Sequence, residues 1–388
     1  MPISNPNFEI ALLGGGQLGK MFLAEARRLD VAVRTLDPDP EAPCRLGAHR
    51  FEVGDFRDRD TVLNFARGAQ AAVIEIESVN AEALEILESE GIPCFPPARA
   101  LRIIQDKVEQ KAFYREQGLA TSDFTIYDSS DALRLAVGQG KQSLPCVWKL
   151  GQGGYDGFGV KVLRNREDLN DLPDGRCVAE ALVDIDKEIG VVVARGLDGN
   201  TENFPPVEME FHPTANQVEY VVCPASISDK QQEEASQLAR QCAEAYDIYG
   251  LLAVELFLTR SGEWLINEVA PRPHNSGHLT IEGCNVSQFE QLLRMAAQLP
   301  MATPTARGAS VMANIVGAEG FSGEVHYQGL EQAARVPEAH IHIYGKAKTR
   351  PFRKLGHVTA IGEQVDDTRR RAAQVRDAIR AISQSKNP

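Results

Sequence analysis

The chain has 388 residues, 43% hydrophobic and 24% charged, which allows two or three domains at roughly 100–200 residues each and excludes a disordered chain. Its net charge of −13 argues against nonspecific nucleic-acid binding. No apolar run is long enough for a bilayer span, MPISNPNFEI lacks the regions of a secretory signal, and seven dispersed cysteines without C-x-x-C read as buried thiols, so a cytoplasmic protein with no membrane partner is expected.

FEIALL (8–13) is a β-prone run entering a glycine cluster, followed by an amphipathic stretch from Leu18 to Leu29 and by strand-like runs VAVRTLD (31–37) and AAVIEI (71–76); AEALEILESE is helical. Strands alternating with helices predict a parallel sheet covered on both faces. Three prolines in GIPCFPP (91–97) place the end of a first domain near residue 100. A second, 101–303, opens on the helical stretch LRIIQDKVEQKAFYREQG and continues with the strand LPCVWKL, a glycine-rich loop and strands around 177–182 and 188–194. Ser228 with Gln231 forms a capping-box signature for a helix reaching Tyr246. LLAVELFLT and EWLINEVA are then joined around Ser261-Gly262. PTARG (304–308) marks a last boundary, and 304–388 carries strand-like runs at 311–316 and 339–345 and a basic, helical end. From Arg335 onward 12 Lys and Arg stand against 5 Asp and Glu, either a solvated helix or a pocket for an anion. The fold class is α/β (α+β).

Three constellations carry chemistry. Gly14-Gly15-Gly16-Gln17-Leu18-Gly19 satisfies G-x-G-x-x-G between a strand and a helix, and Asp37 ends the next strand. That pattern suits a dinucleotide in a Rossmann-like domain, another phosphorylated ligand, or a structural turn. In the second, Lys149 precedes a loop with five glycines in nine residues, Gly151 to Gly159. Its amides can fold over phosphates while the lysine supplies charge; a flexible hairpin is the plainer reading. Tyr155 and Asp156 are unusual in a hinge and suggest substrate contact. The third is the pair Glu255 and Glu268. A two-residue turn at Ser261-Gly262 sets them opposite each other, where like charges need a neutralising partner such as Mg²⁺; the alternative is a solvent-facing pair. Arg272, His274 and Asn275 follow directly, whereas His340 and His342 read as sheet surface.

In order, GGGQLG, EIESV, QDKVEQK, K-x-x-x-GGYDG-x-G, AVELF, NEVAPRPHNSGH and RKLGH resemble the ATP-grasp superfamily, and most closely its N5-carboxyaminoimidazole ribonucleotide synthetase family. The resemblance spans nearly the whole chain. It implies an N-terminal Rossmann-like domain, a central ATP-grasp domain and a small C-terminal domain. The implied activity is ATP- and bicarbonate-dependent carboxylation of 5-aminoimidazole ribonucleotide through carboxyphosphate, in purine biosynthesis, with Mg²⁺ and in a homodimer.

By motif, the resemblance implies that Lys107, Lys149 and the flap residues Gly153, Gly154, Gly157, Phe158 and Gly159 meet ATP. Glu180, Ala181, Leu182 and Val183 would line the adenine, Glu188 the ribose, and Glu255 and Glu268, with Asn267 adjoining, the metal. Arg272, His274 and Asn275 would hold bicarbonate, and Tyr155 and Asp156 would orient the aminoimidazole. Gln17, Leu18 and Glu75 would bind the ribonucleotide, its phosphate held by Lys346, Arg353 and Lys354. VEMEFHPTANQVEY departs from the family pattern around His212, another ATP position, and Lys107 stands where arginine is common. The nearest alternative is formate-dependent glycinamide ribonucleotide transformylase, whose flap lacks GGYDG and whose loop has HDTG in place of HNSGH. An NAD-dependent oxidoreductase would leave the flap, the glutamate pair and the basic tail unexplained.

Overall fold

The computed structural model describes residues 7–153, 159–213 and 217–384. The first unit alternates β1 (Glu9–Leu13), α1 (Gln17–Arg28), β2 (Ala32–Asp37), β3 (Arg50–Val53), α2 (Arg59–Ala66), β4 (Ala71–Ile74), α3 (Ala81–Ser89) and β5 (Cys94–Phe95). Its parallel sheet has the order β3-β2-β1-β4-β5. Ile10 and Leu12 pack on one face and Ala11 and Leu13 on the other, which is why these strands read as unbroken apolar runs. The strand order reverses between β1 and β4, so the loops that follow those two strands flank the crevice where such sheets bind ligands.

α4 (Ala98–Ile104) and α5 (Lys107–Glu116) replace the single helix expected from residue 101. Asp106 accepts the N–H of Val108 at 2.8 Å and caps a new helix. The expected boundary at residue 100 falls inside α4. Next come β6 (Phe124–Tyr127), α6 (Ser130–Gly138), β7 (Cys146–Leu150), β8 (Val160–Leu163) and β9 (Cys177–Ala181), which form an antiparallel sheet ordered β6-β9-β7-β8. Cys146, Trp148, Cys177 and Ala179 pack with Leu133 and Val137 of α6, so Lys149 and Glu180 alternate onto the opposite face.

The large sheet is built from β10 (Ile185–Arg195), β11 (Thr201–Asn203), β12 (Val207–Phe211), β13 (Val218–Cys223), β14 (Gly250–Thr259), β15 (Trp264–Ala270) and β16 (Ala309–Val316). α7 (Asp229–Ala245) precedes β14, and α8 (Thr280–Gly283) and α9 (Gln288–Ala296) follow β15. The tail adds β17 (Gly323–Glu324), β18 (His326–Gln328), α10 (Leu330–Ala333), β19 (Ala339–Ile343), β20 (Lys348–Thr349), β21 (Lys354–Gly362), α11 (Val365–Ala378) and β22 (Arg380–Ile382). The order β15-β14-β10-β12-β13-β16-β21-β19 runs straight through the boundary expected at 304–308, because β16 pairs with the edge of β13. The Ser228–Gln231 capping box is present, with α7 ending before Tyr246.

All seven cysteines are buried and free. Among the described residues no helix is long and apolar enough to cross a membrane. His340 is exposed, but His342 departs from the surface reading. Its ring stacks on His357 at 4.3 Å and its Nε2 meets Glu282 at 2.8 Å, because α8 covers that part of the strand.

Candidate active site

The β14–β15 hairpin sets the chemistry of the cleft between the two antiparallel sheets. Its turn is not the expected two-residue Ser261-Gly262. Thr259 N–H bonds to Glu263 O at 2.9 Å and Gly262 has φ +87°, so Arg260, Ser261 and Gly262 form a three-residue loop with glycine in the left-handed region. That turn pairs Leu256 with Ile266, and one extra residue, Asn267, then bulges out so that Glu255 pairs with Glu268. The expected opposition of the two glutamates therefore holds, but through a longer turn compensated by a bulge. The bulge also sends Asn267 and Glu268 to the same side, while Leu256, Ile266 and Val269 enter the core beneath α7. Asn267 Nδ2 reaches Glu255 at 3.4 Å and its Oδ1 accepts from Lys149 at 3.0 Å.

Glu255 is pushed up by burial and by Glu268 and Glu188, whereas Lys107, in direct contact, holds Glu268 down. Two carboxylates on one face, only one with a cationic partner in contact, fit a hard divalent cation. Among the described residues no group of three or more His, Cys, Asp and Glu gathers at metal-holding distance. The pair would thus leave most of the coordination shell to phosphate and water, as Mg²⁺ prefers.

Lys107 and Lys111 lie one turn apart at the start of α5, facing the cleft. Glu180, 3% exposed, binds Lys149 at 3.0 Å, Lys111 at 3.1 Å and Ser122 at 2.7 Å. Burial opposes its charge, but the two lysines outweigh it and hold the carboxyl low; burial in turn pulls Lys111 down to about 8. The base of the glycine flap is tied to α5, Lys107 N–H donating to Gly151 O at 2.7 Å and Gln152 Nε2 to Asp106 at 3.0 Å. Glu188 of β10 is raised to about 7, mainly by burial. Ala181 and Val183 border a cavity of about 410 Å³ that runs between the small sheet and the hairpin, past Ser122 and Leu265; Leu182 beside them is exposed.

The loop after β15 draws on all three parts of the chain. Arg272 pairs with Glu77 of the first unit at 2.6 Å. His274 Nδ1 accepts the N–H of Ser276 at 3.3 Å, leaving Nε2–H to face Glu255 at 3.4 Å. Burial, reinforced by Arg272 and Lys354, lowers His274 to about 3, so the ring is neutral. Both ends of the Asn275 amide are engaged by Asn314, at 2.9 and 3.0 Å, so its side chain anchors the loop to β16.

The first glycine loop also differs from a phosphate cradle. Glu75, just beyond β4, accepts the N–H groups of Gly16, Leu18 and Gly19 at 2.8, 3.2 and 3.1 Å, and Asp37 accepts that of Gly15 at 2.6 Å. The anion at the start of α1 is the protein's own carboxylate, which removes the reason for a dinucleotide there. A Cβ at Gly16 would stand 2.5 Å from Glu75 Oε1, so the glycine admits the carboxylate. Leu18 contributes only backbone, since its side chain is in the core, and Gln17 is half-buried at the helix start. Opposite this loop, Lys346, Lys348 and Arg353 close a cavity of about 240 Å³ with Gly16, Asp37 and Asp39. Lys354 lies behind them, its carbonyl accepting from Lys346 at 2.9 Å.

Burial lifts the Glu75 carboxyl from its usual 4.5 to about 7, with the Gly19 and Gly16 amides opposing. A carboxyl that resists ionisation only in the folded state makes stability fall as pH rises between those values. Glu75→Gln should therefore compare worst with the parent near pH 4.5 and gain on it up to about pH 7. A melting-temperature difference that stays flat across that window would show the carboxyl is not the cause.

Gly154, Tyr155, Asp156, Gly157 and Phe158 lie outside the described residues. The cleft collects Lys107, Lys149, Glu180, Glu188, Glu255, Asn267, Glu268 and His274. His212 follows β12, its ring 5.9 Å from that of Phe352. Sequence reasoning missed Lys111, Glu77 and Gln288. Lys111 was visible as the i+4 partner of Lys107 and Glu77 as the i+2 partner of Glu75, whereas Gln288 carries no local signal.

A cleft between two antiparallel sheets, in which Lys149 of the smaller sheet and Lys107 of α5 meet Asn267 and Glu268 of the larger, defines an ATP-grasp enzyme, an ATP-dependent ligase. A family model for the ATP-grasp domain matches residues 112–289, one for the ribonucleotide synthetase preATP-grasp domain 8–105, and one for the phosphoribosylaminoimidazole carboxylase C-terminal domain 310–371. The N5-carboxyaminoimidazole ribonucleotide synthase of Bacillus subtilis is 32% identical over 367 residues, 93% of each chain. The chloroplastic phosphoribosylaminoimidazole carboxylase of Vigna aconitifolia is 35% identical over 92% of this chain, which spans 64% of that longer relative. Among solved structures, the N5-carboxyaminoimidazole ribonucleotide synthetase of Thermotoga maritima superposes with TM-score 0.88 at 34% identity, covering 97% of this chain and 100% of its own. An Aspergillus clavatus enzyme solved with ADP and 5-aminoimidazole ribonucleotide gives 0.85 at 30%, covering 96% and 98%. The chain belongs to the N5-carboxyaminoimidazole ribonucleotide synthase family of purine biosynthesis.

Proposed function

We propose that the chain, acting in the cytoplasm as a homodimer, carboxylates 5-aminoimidazole ribonucleotide with bicarbonate and ATP, and that the residues gathered above divide the work. The observation that carries this reading is the loop after β15. Arg272 meets Glu77 of the first unit, His274 faces Glu255 of the hairpin, and Lys354 of β21 lies close enough to depress His274. An anion held there lies between a nucleotide side, with Lys107 and Lys149, and a ribonucleotide side, with Gly16, Lys346 and Arg353.

Lys107 and Lys149 bind the triphosphate, and residues 180–183 with Glu188 receive the nucleoside. Glu255 and Glu268, with Asn267 adjoining, would hold Mg²⁺, which when bound screens the phosphates and the charge that develops on them. Arg272 and the neutral His274 hold bicarbonate while its oxygen attacks the γ-phosphorus and ADP departs. The carboxyl carbon of carboxyphosphate then bonds to the amine of the aminoimidazole as phosphate leaves and the nitrogen gives up a proton; carbon dioxide freed by the same cleavage serves equally. Tyr155 and Asp156 are assigned by resemblance to orienting that amine. Closing the flap would keep water from the labile intermediate.

The test is ADP release on adding bicarbonate, formate, aminoimidazole ribonucleotide and glycinamide ribonucleotide in turn. Turnover should need the first and third together. Turnover with formate and glycinamide ribonucleotide instead would replace this reading with the transformylase. Arg353→Ala is expected to raise KM for the ribonucleotide about 10- to 100-fold, as a charge-assisted hydrogen bond worth roughly 1.5–3 kcal/mol implies, with KM for ATP nearly unchanged. Equal losses for both substrates would place Arg353 elsewhere in the mechanism.

A further inference from the structure

Gln288 is the first residue of α9 and is fully buried, an unusual place for an uncharged amide unless each of its groups has a partner. Its Oε1 accepts the N–H of His274 at 2.9 Å, and its Nε2 donates to the carbonyl of the same residue at 2.8 Å and to His278 Nδ1 at 3.1 Å. One side chain thus reads both backbone groups of His274 as a neighbouring strand would, and the fixed polarity of those groups settles which end of the amide is oxygen.

The support behind it is rigid. Gln288 N–H donates to Thr280 Oγ1 at 3.0 Å, and that hydroxyl donates to Gly277 O at 2.5 Å. Ser287 caps α9 by accepting from Glu290 N–H at 2.9 Å and donates to Glu25 of α1 at 3.0 Å. A Cβ on Gly277 would stand 2.4 Å from Gln288 Oε1, so the loop reserves room for this amide. The chain of contact runs from α1 through the start of α9 to the backbone of His274, and from the His274 ring to Glu255.

We propose that Gln288 is a positioning residue: it holds His274, and with it the anion-binding turn, at the distance from the nucleotide side that carboxyl transfer needs. This rests on the function proposed above. A misplacement of about 1 Å can cost on the order of 100-fold in rate, without weakening substrates bound through other residues.

The test compares the parent, Gln288→Leu, Gln288→Glu and Gly277→Ala, measuring carboxylated product, ADP, both nucleotide KM values and melting temperature. Gln288→Leu loses every bond at similar size and is expected to lose about 10- to 100-fold in kcat for product, with KM for ATP and for the ribonucleotide within about threefold. Gln288→Glu keeps the acceptor and should fall between it and the parent. Gly277→Ala, which crowds the amide without removing it, should also lose kcat. Parent-like kcat in Gln288→Leu would overturn the proposal, as would losses spread equally over kcat and both KM values. If Gln288→Leu does not fold, Gln288→Glu and Gly277→Ala decide by the same measures, and failure of all three to fold would make the residue purely structural and overturn it too. A parent enzyme that makes no carboxylated product would instead refute the proposed function.

Discussion

Glu268→Gln should lose on the order of 1,000-fold or more in ADP release at saturating Mg²⁺, since a charged ligand to a catalytic cation stabilises the transition state by several kcal/mol. Glu255→Gln should be comparably inactive. The two are expected to part company in stability. Glu268 is the carboxylate held by Lys107, so neutralising it leaves a lysine in the cleft without its counter-ion. Glu255 has its ionisation opposed by burial and by Glu268, so its amide relieves a repulsion. Without nucleotide or metal, Glu255→Gln should melt at or above the parent and Glu268→Gln below it. Near-parent turnover in both variants would remove the cation site, and the reverse order of melting temperatures would refute the assignment of Lys107 to Glu268.

Lys149→Met should reduce ATP turnover by at least 100-fold, because a preorganised cation is lost from the transferring phosphate. It should also destabilise the fold. Glu180 is buried between Lys149 and Lys111, and removing one cation leaves a buried carboxylate only partly compensated, a change that can cost on the order of 3 kcal/mol. The double variant Lys149→Met with Glu180→Gln separates the two effects. It should recover only part of the lost stability, since the under-compensated carboxylate is gone but Lys111 then loses its own counter-ion, and recover none of the activity. Recovery of ATP turnover would mean that Lys149 acts only by neutralising Glu180. No recovery of stability would mean that the loss of Glu180 from Lys111 costs as much as it relieves, or that the destabilisation comes from the acceptor left on Asn267.

The glutamate pair shows how much of the site was legible and where legibility stopped. Alternation of apolar and polar residues placed Glu255 and Glu268 on one face, but pairing by a two-residue turn did so only because two departures cancel. The turn is one residue longer, and the bulge at Asn267 restores the register. Bulges have no dependable local signature; this one is held by contacts of Asn267 with Glu255 across the hairpin and with Lys149, from a strand distant in sequence. The glycine loop teaches the converse. Its pattern announced an anion at the start of α1, yet that anion is Glu75, which only the approach of β4 to β1 could bring there.

The sequence by itself determined the alternating α/β first unit, the helix start at Ser228, and the family to which the motifs point. Those features rest on hydrophobic period, turn chemistry and capping, which neighbouring residues decide among themselves. Tertiary structure alone decided that the tail strands continue the central sheet, that Asn275 locks to Asn314, that Glu77 meets Arg272, and that Gln288 clasps the backbone of His274. Each of these joins segments far apart in the chain through hydrogen bonds or ion pairs of buried or half-buried groups. Such a bond depends on which groups the completed packing leaves facing each other, and no local stretch of sequence carries that information.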